Sequence, residues 1–239
     1  MQIEAIAKIY NGYNDKFGIP RQSGLVPNSV SYIIFEEKYR NNEALRGIEG
    51  YSHLWLLWQF SHMSAKDEWS PTVRPPRLGG NKRVGVFSTR SPNRPSGIGL
   101  SSVRLGGIVS TERYGSVLEV FGVDIQSGTP IIDIKPYIPY TDSHPDAVGG
   151  FADEFVGYAL TVRFSDGLID MIEPEDRDVI CDILKNDPRP SYQHDPQRVY
   201  TMDYTKYKIS FRVDGAELCV CDIKIVDGRC DIYDNVRMR

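Results

Sequence analysis

The stretch Thr89-Arg-Ser-Pro-Asn-Arg-Pro-Ser-Gly-Ile-Gly-Leu100 sets two arginines, Arg90 and Arg94, in a frame of prolines and glycines. The prolines stiffen the backbone, and the glycines let it approach a ligand closely. Each guanidinium presents a planar fork of donors suited to a carboxylate or phosphate. The chemistry is anion recognition by an ordered loop. Two common catalytic relatives of such a loop are absent: no Gly-Lys-Ser/Thr step opens a helix as in a phosphate-cradling P-loop, and no Gly-x-Ser-x-Gly elbow supplies a hydrolase nucleophile.

Three further stretches are polar in ways a core does not need. In Phe17-Gly-Ile-Pro-Arg-Gln22, Pro20 holds the backbone extended while Arg21 and Gln22 offer donors. Ser61 and His62 follow an apolar run, at a strand end, where ligands are commonly met; the alternative for His62 is a hydrogen-bonded structural role. The fourth stretch opens with the turn Ser127, Gly128, Thr129, Pro130 and continues as a strand whose alternation puts Asp133, Lys135 and Tyr137 on one face. Asp133 and Lys135 there either serve a small polar site or pair with each other.

Charge is segregated along the chain. The net charge of −4 and pI near 5.6 exclude a polycation that binds nucleic acid without discrimination. Yet from Trp69 to Thr111 the chain carries Arg74, Arg77, Lys82, Arg83, Arg90, Arg94 and Arg104 with not one Asp or Glu. A solvated loop whose arginines pair with acids elsewhere is one account; a surface for anionic groups fits a Gly-, Pro- and Ser-rich segment better.

The elements that must position these residues are mainly β. Apolar runs punctuated by Gly and Pro predict strands at Ile3 to Ile9, Ser29 to Phe35, His53 to Phe60, Lys82 to Phe87, Leu100 to Ile108, Ser116 to Asp124 and Ile131 to Pro136. This spacing favours a barrel or sandwich, and no glycine fingerprint leads a strand into a helix as a doubly wound fold requires. His53 to Phe60 is apolar at successive positions, which predicts burial of both faces. Asn41 to Glu49 predicts a short helix capped by Asn42. After Phe164 the texture changes. Pro174 to Lys185 predicts a helix from its leading proline, adjacent acids and stripe of Val179, Ile180, Ile183 and Leu184. Asp187 to Tyr192 reads as a rigid extended segment, and Tyr207 to Val213 with Glu217 to Ile225 reads as a hairpin around Asp214-Gly215. The expected domains are therefore 1–164 and a small α+β unit, 165–239.

The four cysteines, Cys181, Cys219, Cys221 and Cys230, lack the spacing of a common zinc knuckle, so no metal is expected; Cys219 and Cys221 read as small apolar residues on one face of a strand. No apolar window of about 18 residues occurs, and Glu4 and Lys8 interrupt any leader, so a cytoplasmic protein without membrane contact is expected.

Together, the four polar stretches resemble the TsaA-like family, also called TrmO, over about residues 1 to 145, most strongly at Thr89 to Leu100 and Gly128 to Tyr137. Asp187-Pro-Arg-Pro-Ser-Tyr192 extends the resemblance into the second unit. The resemblance implies a single-sheet β-barrel methyltransferase, working as a homodimer, that methylates N6 of threonylcarbamoyladenosine beside the tRNA anticodon with S-adenosylmethionine. It implies donor contacts from Pro20, Arg21, Gln22, Ser61, His62, Arg90, Leu100, Ser127, Gly128, Thr129 and Pro130. The acceptor nitrogen has a proton to lose, which makes Asp133, His62 and Tyr137 candidate bases. Arg74, Arg77, Lys82, Arg83 and Arg94 are candidate phosphate contacts, and the segment with Arg189 is expected to close over the anticodon loop. The chain departs from the family at Ser127, where Asp is usual, and at Gly97, where Asn or Pro is often seen. Other readings are methylation of a different acceptor, a donor-sensing module without catalysis, and a plain interaction protein.

Overall fold

The computed structural model describes residues 3–60, 70–75, 78, 82–189, 193, 195–226 and 231–237. The first unit contains β1 (Ala7–Asn11), β2 (Val30–Phe35), β3 (His53–Gln59), the small pair β4 (Thr72–Val73) and β5 (Val84–Gly85), then β6 (Ile98–Thr111), β7 (Gly115–Phe121) and β8 (Pro130–Pro136). Six of these strands close into a ring in the order β1-β2-β7-β6-β3-β8. Every neighbouring pair in it is antiparallel. Period-2 alternation fills the ring: Ile9, Ile33, Leu54, Leu56, Trp58, Val103, Leu118, Val120 and Ile131 are buried in its core.

After β8 come the one-turn α1 (Pro139–Asp142) and, beyond β9 (Thr161–Phe164), the longer α2 (Pro174–Lys185). The helix α2 has the bounds read from the sequence, with Val179, Ile180, Ile183 and Leu184 buried and Glu175, Asp176 and Lys185 at the termini that suit their charges. The strands β10 (Tyr200–Tyr204), β11 (Tyr207–Asp214) and β12 (Glu217–Ile225) form a meander, and β9 pairs in parallel with β12 to complete a sheet of order β10-β11-β12-β9. Residues 161–164, expected in the first domain, thus belong to the second sheet. Cys219 and Cys221 share one face of β12, the outer one, since Leu218 and Val220 take the inner face.

The last described helix, α3 (Asp231–Arg237), returns to the ring. Its Tyr233 and Val236 pack on Tyr32, Ile34 and Val117, so β2 is covered on both faces. That is the burial expected of β3. In β3 only Leu54, Leu56 and Trp58 face inward, while His53, Trp55 and Leu57 are half-exposed outside, with Trp55 Nε1 donating to Asp142 of α1 at 2.9 Å. Other local expectations also shift. The region expected as one helix forms two 3-10 turns, Asn42–Leu45 and Ile48–Gly50, and Asn41 rather than Asn42 accepts the capping bond from the Glu43 N–H at 3.0 Å. Lys82 to Phe87 forms only the two-residue β5 before a 3-10 turn at Val86–Ser88.

The two units share one core, in which Tyr13 and Phe17 of the first meet Tyr204 and Phe211 of the second. The approach is close at Gly12, where a Cβ would lie 2.7 Å from both Thr205 Cγ2 and Tyr204 Cε2. Thr205 holds a positive φ of 46°, costly for a β-branched residue, and is fixed there by bonds from its N–H to the Gly12 carbonyl (2.9 Å) and from Asn14 Nδ2 to its carbonyl (3.2 Å).

Candidate active site

Strand directions decide which loops meet. In the antiparallel ring, β1, β3 and β7 end where β2, β6 and β8 begin, so residues 12–29, 122–129 and the described residues between β3 and β6 gather at one end. This unites Pro20, Arg21 and Gln22 with Arg90, Arg94 and the Ser127–Pro130 turn. Ser61, His62 and Arg77 lie outside the described residues.

The turn is fastened to β1 by main-chain bonds: Ser127 N–H to Tyr13 O (3.0 Å), Gly128 N–H to Ile9 O (2.7 Å) and Ile9 N–H to Thr129 O (3.1 Å). Asn11 completes the fastening, its Nδ2 donating to Ile125 O at 3.0 Å. The Ser127 hydroxyl oxygen accepts from the Asn11 N–H at 3.2 Å, so this side chain supplies an acceptor to the strand beside it.

Opposite the turn, Arg90 Nη1 donates to Gln22 Oε1 at 2.6 Å, joining two of the loops. Beneath them runs a chain that sequence reasoning missed: Trp58 Nε1 donates to Ser101 Oγ (3.0 Å), and the Ser101 hydroxyl donates to Asp124 Oδ1 (2.5 Å). Burial raises the pKa of Asp124, opposed by the Ser101 hydrogen bond, its own backbone N–H, the Arg90 charge and the Ser23 N–H. The available signal was an acid at the end of a strand, set between buried Val123 and Ile125.

The remaining candidates are placed differently. Asp133 is held by its own strand: Lys135 Nζ sits 2.7 Å from its Oδ2 and the Ile134 N–H donates to its Oδ1 at 2.9 Å, with both charged side chains partly exposed. Tyr137 lies at the other end of β8, its ring 5.5 Å from that of Trp55, and about 20 Å from the Ser127–Pro130 turn at ~3.3 Å per residue. Tyr137 therefore does not converge with the gathered loops within one chain, whereas Asp133 lies three residues past Pro130, about 10 Å from the turn. Arg21 Nη2 donates to the carbonyls of Asp187 (3.1 Å) and Arg189 (2.8 Å), which ties its loop to the second unit. Arg189 is 7% exposed and pairs with Asp187, so it builds that segment rather than its surface. Arg94 is half-buried and braces its own loop through the Thr89 carbonyl at 3.0 Å. Arg74, Lys82 and Arg83 flank the β4–β5 pair and are exposed, Arg83 also donating to Thr72 Oγ1 at 3.1 Å. Leu100 stands 51% exposed at the start of β6, and Pro20 and Thr129 are buried.

Comparison with known proteins bears on this arrangement. Residues 8–143 match the model of the tRNA-methyltransferase O N-terminal domain and residues 158–226 that of the TrmO C-terminal domain. The chain belongs to the TrmO family. A family relative from Escherichia coli (strain K12), named tRNA (adenine(37)-N6)-methyltransferase, is 37% identical over 90% of this chain and 94% of its own. Another, from Pseudomonas aeruginosa, carries "S-adenosylmethionine-dependent methyltransferase" in its name and is 39% identical over 83% of this chain and 86% of its own. A crystal structure of TrmO from Pseudomonas aeruginosa superposes with a TM-score of 0.74 at 30% identity, covering 94% of this chain and 98% of that one. The second family match starts ahead of β9, in keeping with that strand's place in the second sheet.

Proposed function

We propose that this chain transfers a methyl group from S-adenosylmethionine to N6 of adenosine 37, in its threonylcarbamoylated form, beside the tRNA anticodon. The observation that carries this reading is the likeness to the Escherichia coli tRNA (adenine(37)-N6)-methyltransferase, which runs through both units and nearly the whole length of both chains. No helix among the described residues is long and apolar enough to cross a membrane. We place the enzyme in the cytoplasm as a β-barrel methyltransferase acting as a homodimer, in line with the family resemblance.

The side chains at the gathered end of the ring fit such a donor chemically. Arg90 and Gln22 offer donors to the methionine carboxylate, and the exposed Leu100 offers an apolar surface to a base. The main-chain groups of the Ser127–Pro130 turn add directional contacts, while Pro20 stiffens the facing loop. When bound, the donor supplies a methyl group on a sulfonium, and in-line displacement requires alignment above all. The protein's task is then to hold the acceptor nitrogen on that line. With Asp133 paired to Lys135 and Tyr137 at the far end of β8, alignment is the main contribution of these described residues to the reaction.

Incubation of the protein with donor and threonylcarbamoylated tRNA, followed by nucleoside mass analysis, tests the reading. One added methyl group on that nucleoside is the expected result. Donor binding without methylation would favour a sensor or another acceptor, and absence of donor binding removes the assignment. The exposed Arg74, Lys82 and Arg83 give a second test: three phosphate contacts predict roughly a twentyfold loss of tRNA affinity between 50 and 200 mM salt. A salt-independent affinity, measured by filter binding, would count against this surface.

A further inference from the structure

Asp124 occupies the point where the donor-side loops are held together. From below, the Ser101 hydroxyl donates to its Oδ1 at 2.5 Å and is itself aimed by Trp58 Nε1 at 3.0 Å. From one side the Ser23 N–H faces the carboxylate, and Ser23 directly follows Gln22. The same loop is fastened to the Asp124 loop by the Gly24 N–H to the Gly122 carbonyl at 2.8 Å. From another side the Arg90 charge acts on Asp124, and Arg90 in turn holds the Gln22 side-chain oxygen. A carboxylate kept under this much protein costs stability through desolvation, which is a reason to look for a role other than holding the fold.

We infer that Asp124 is a positioning residue of the donor site: anchored by Ser101 and Trp58, its negative charge keeps Arg90 and the Gln22–Ser23 backbone in the arrangement that receives the carboxylate end of an amino-acid-bearing nucleoside. This rests on the donor-site reading given above. Asp124 acts through Arg90 and Gln22, so its loss weakens donor capture more than it slows the chemical step.

The test uses the full chain with Asp124→Asn, Arg90→Ala, the double variant and Ser101→Ala, measuring S-adenosylmethionine affinity by calorimetry and tRNA methylation kinetics. Burial raises the Asp124 pKa, so that group's contribution to folding is complete below the ordinary carboxylate range and is lost as pH rises through the raised value. Asp124→Asn, uncharged and still able to accept the Ser101 hydroxyl, is accordingly expected to melt no lower than the parent at neutral pH. Its donor Kd and KM should rise about tenfold with kcat at saturating donor within about threefold, and the double variant should be no weaker than Arg90→Ala alone. Ser101→Ala should shift donor affinity in the same direction by a smaller factor. Unchanged donor affinity in Asp124→Asn beside a parent that binds normally overturns the inference and leaves the donor site standing. So does strict additivity with Arg90→Ala, or a fall in kcat at constant KM. A parent protein that fails to bind the donor overturns both.

Discussion

Arg189→Ala is expected to lower the unfolding free energy by about 3–5 kcal/mol, because it strands a buried carboxylate without its counter-ion. Arg189 Nε lies 3.0 and 3.2 Å from the two carboxylate oxygens of Asp187, and both side chains are 8% exposed. The Tyr158 hydroxyl donates to Asp187 Oδ2 at 2.9 Å, and Arg189 Nη1 reaches the Gln193 carbonyl at 3.3 Å. Asp187 itself sits just past α2 at a positive φ of 51°, a conformation its surroundings must hold. Urea titration reads the cost directly, and the double change Asp187→Asn with Arg189→Met should recover much of it, since replacing a buried pair with neutral groups removes the desolvation burden. A loss below about 1 kcal/mol would mean that the pair is solvated like a surface one. Because the carbonyls of Asp187 and Arg189 receive Arg21, the same substitution should also loosen the loop that carries Gln22.

Gly99→Ala should be nearly as disruptive for a different reason. A Cβ on Gly99 would run into the indole of Trp58, directly across the β3–β6 pairing, with its atom Cδ2 only 2.6 Å away. The indole has little room to retreat: it is 8% exposed, bonded to Ser101, and packed edge-on against Phe60 at 4.4 Å. Overpacking of this kind costs about 1–3 kcal/mol. Since Trp58 aims Ser101 at Asp124, donor affinity should fall along with the melting temperature, and tryptophan fluorescence should report the displaced ring. Wild-type melting and fluorescence in Gly99→Ala would show that the ring yields freely and that the chain from Trp58 to Asp124 is slack.

The two substitutions also mark what the sequence could and could not disclose. The bounds of α2 and the β11–β12 hairpin were legible because their signals are local: a leading proline, flanking acids, an apolar stripe, an Asp214-Gly215 turn. The sheet to which Thr161–Phe164 belongs was not, because a parallel partner over fifty residues away leaves no mark on four residues of strand. Likewise β2 owes its second covered face to α3, and β3 lost the expected one for want of such a cover. Within the site, Gln22, Arg90 and the Ser127–Pro130 turn stood out as polar or glycine-bearing loops that no core would select. Ser101 and Asp124 read simply as strand. Tyr137 belongs to the same sequence motif as the turn, yet an extended chain carries it to the ring's other end, where motif contiguity says nothing about proximity.

The return of α3 has a further consequence. That helix lies against the ring through Tyr233 and Val236 and is bonded to the start of α2 through Arg237 and the buried Asp176 at 2.9 Å. It thus bolts together two sheets that already share their apolar interior. Neither sheet keeps its packing once the other has gone, so heating should give a single endotherm with equal calorimetric and van't Hoff enthalpies instead of two stepwise melts. Refolding should be slow, since the decisive contacts join segments from opposite ends of the described chain and cannot form until long loops have closed.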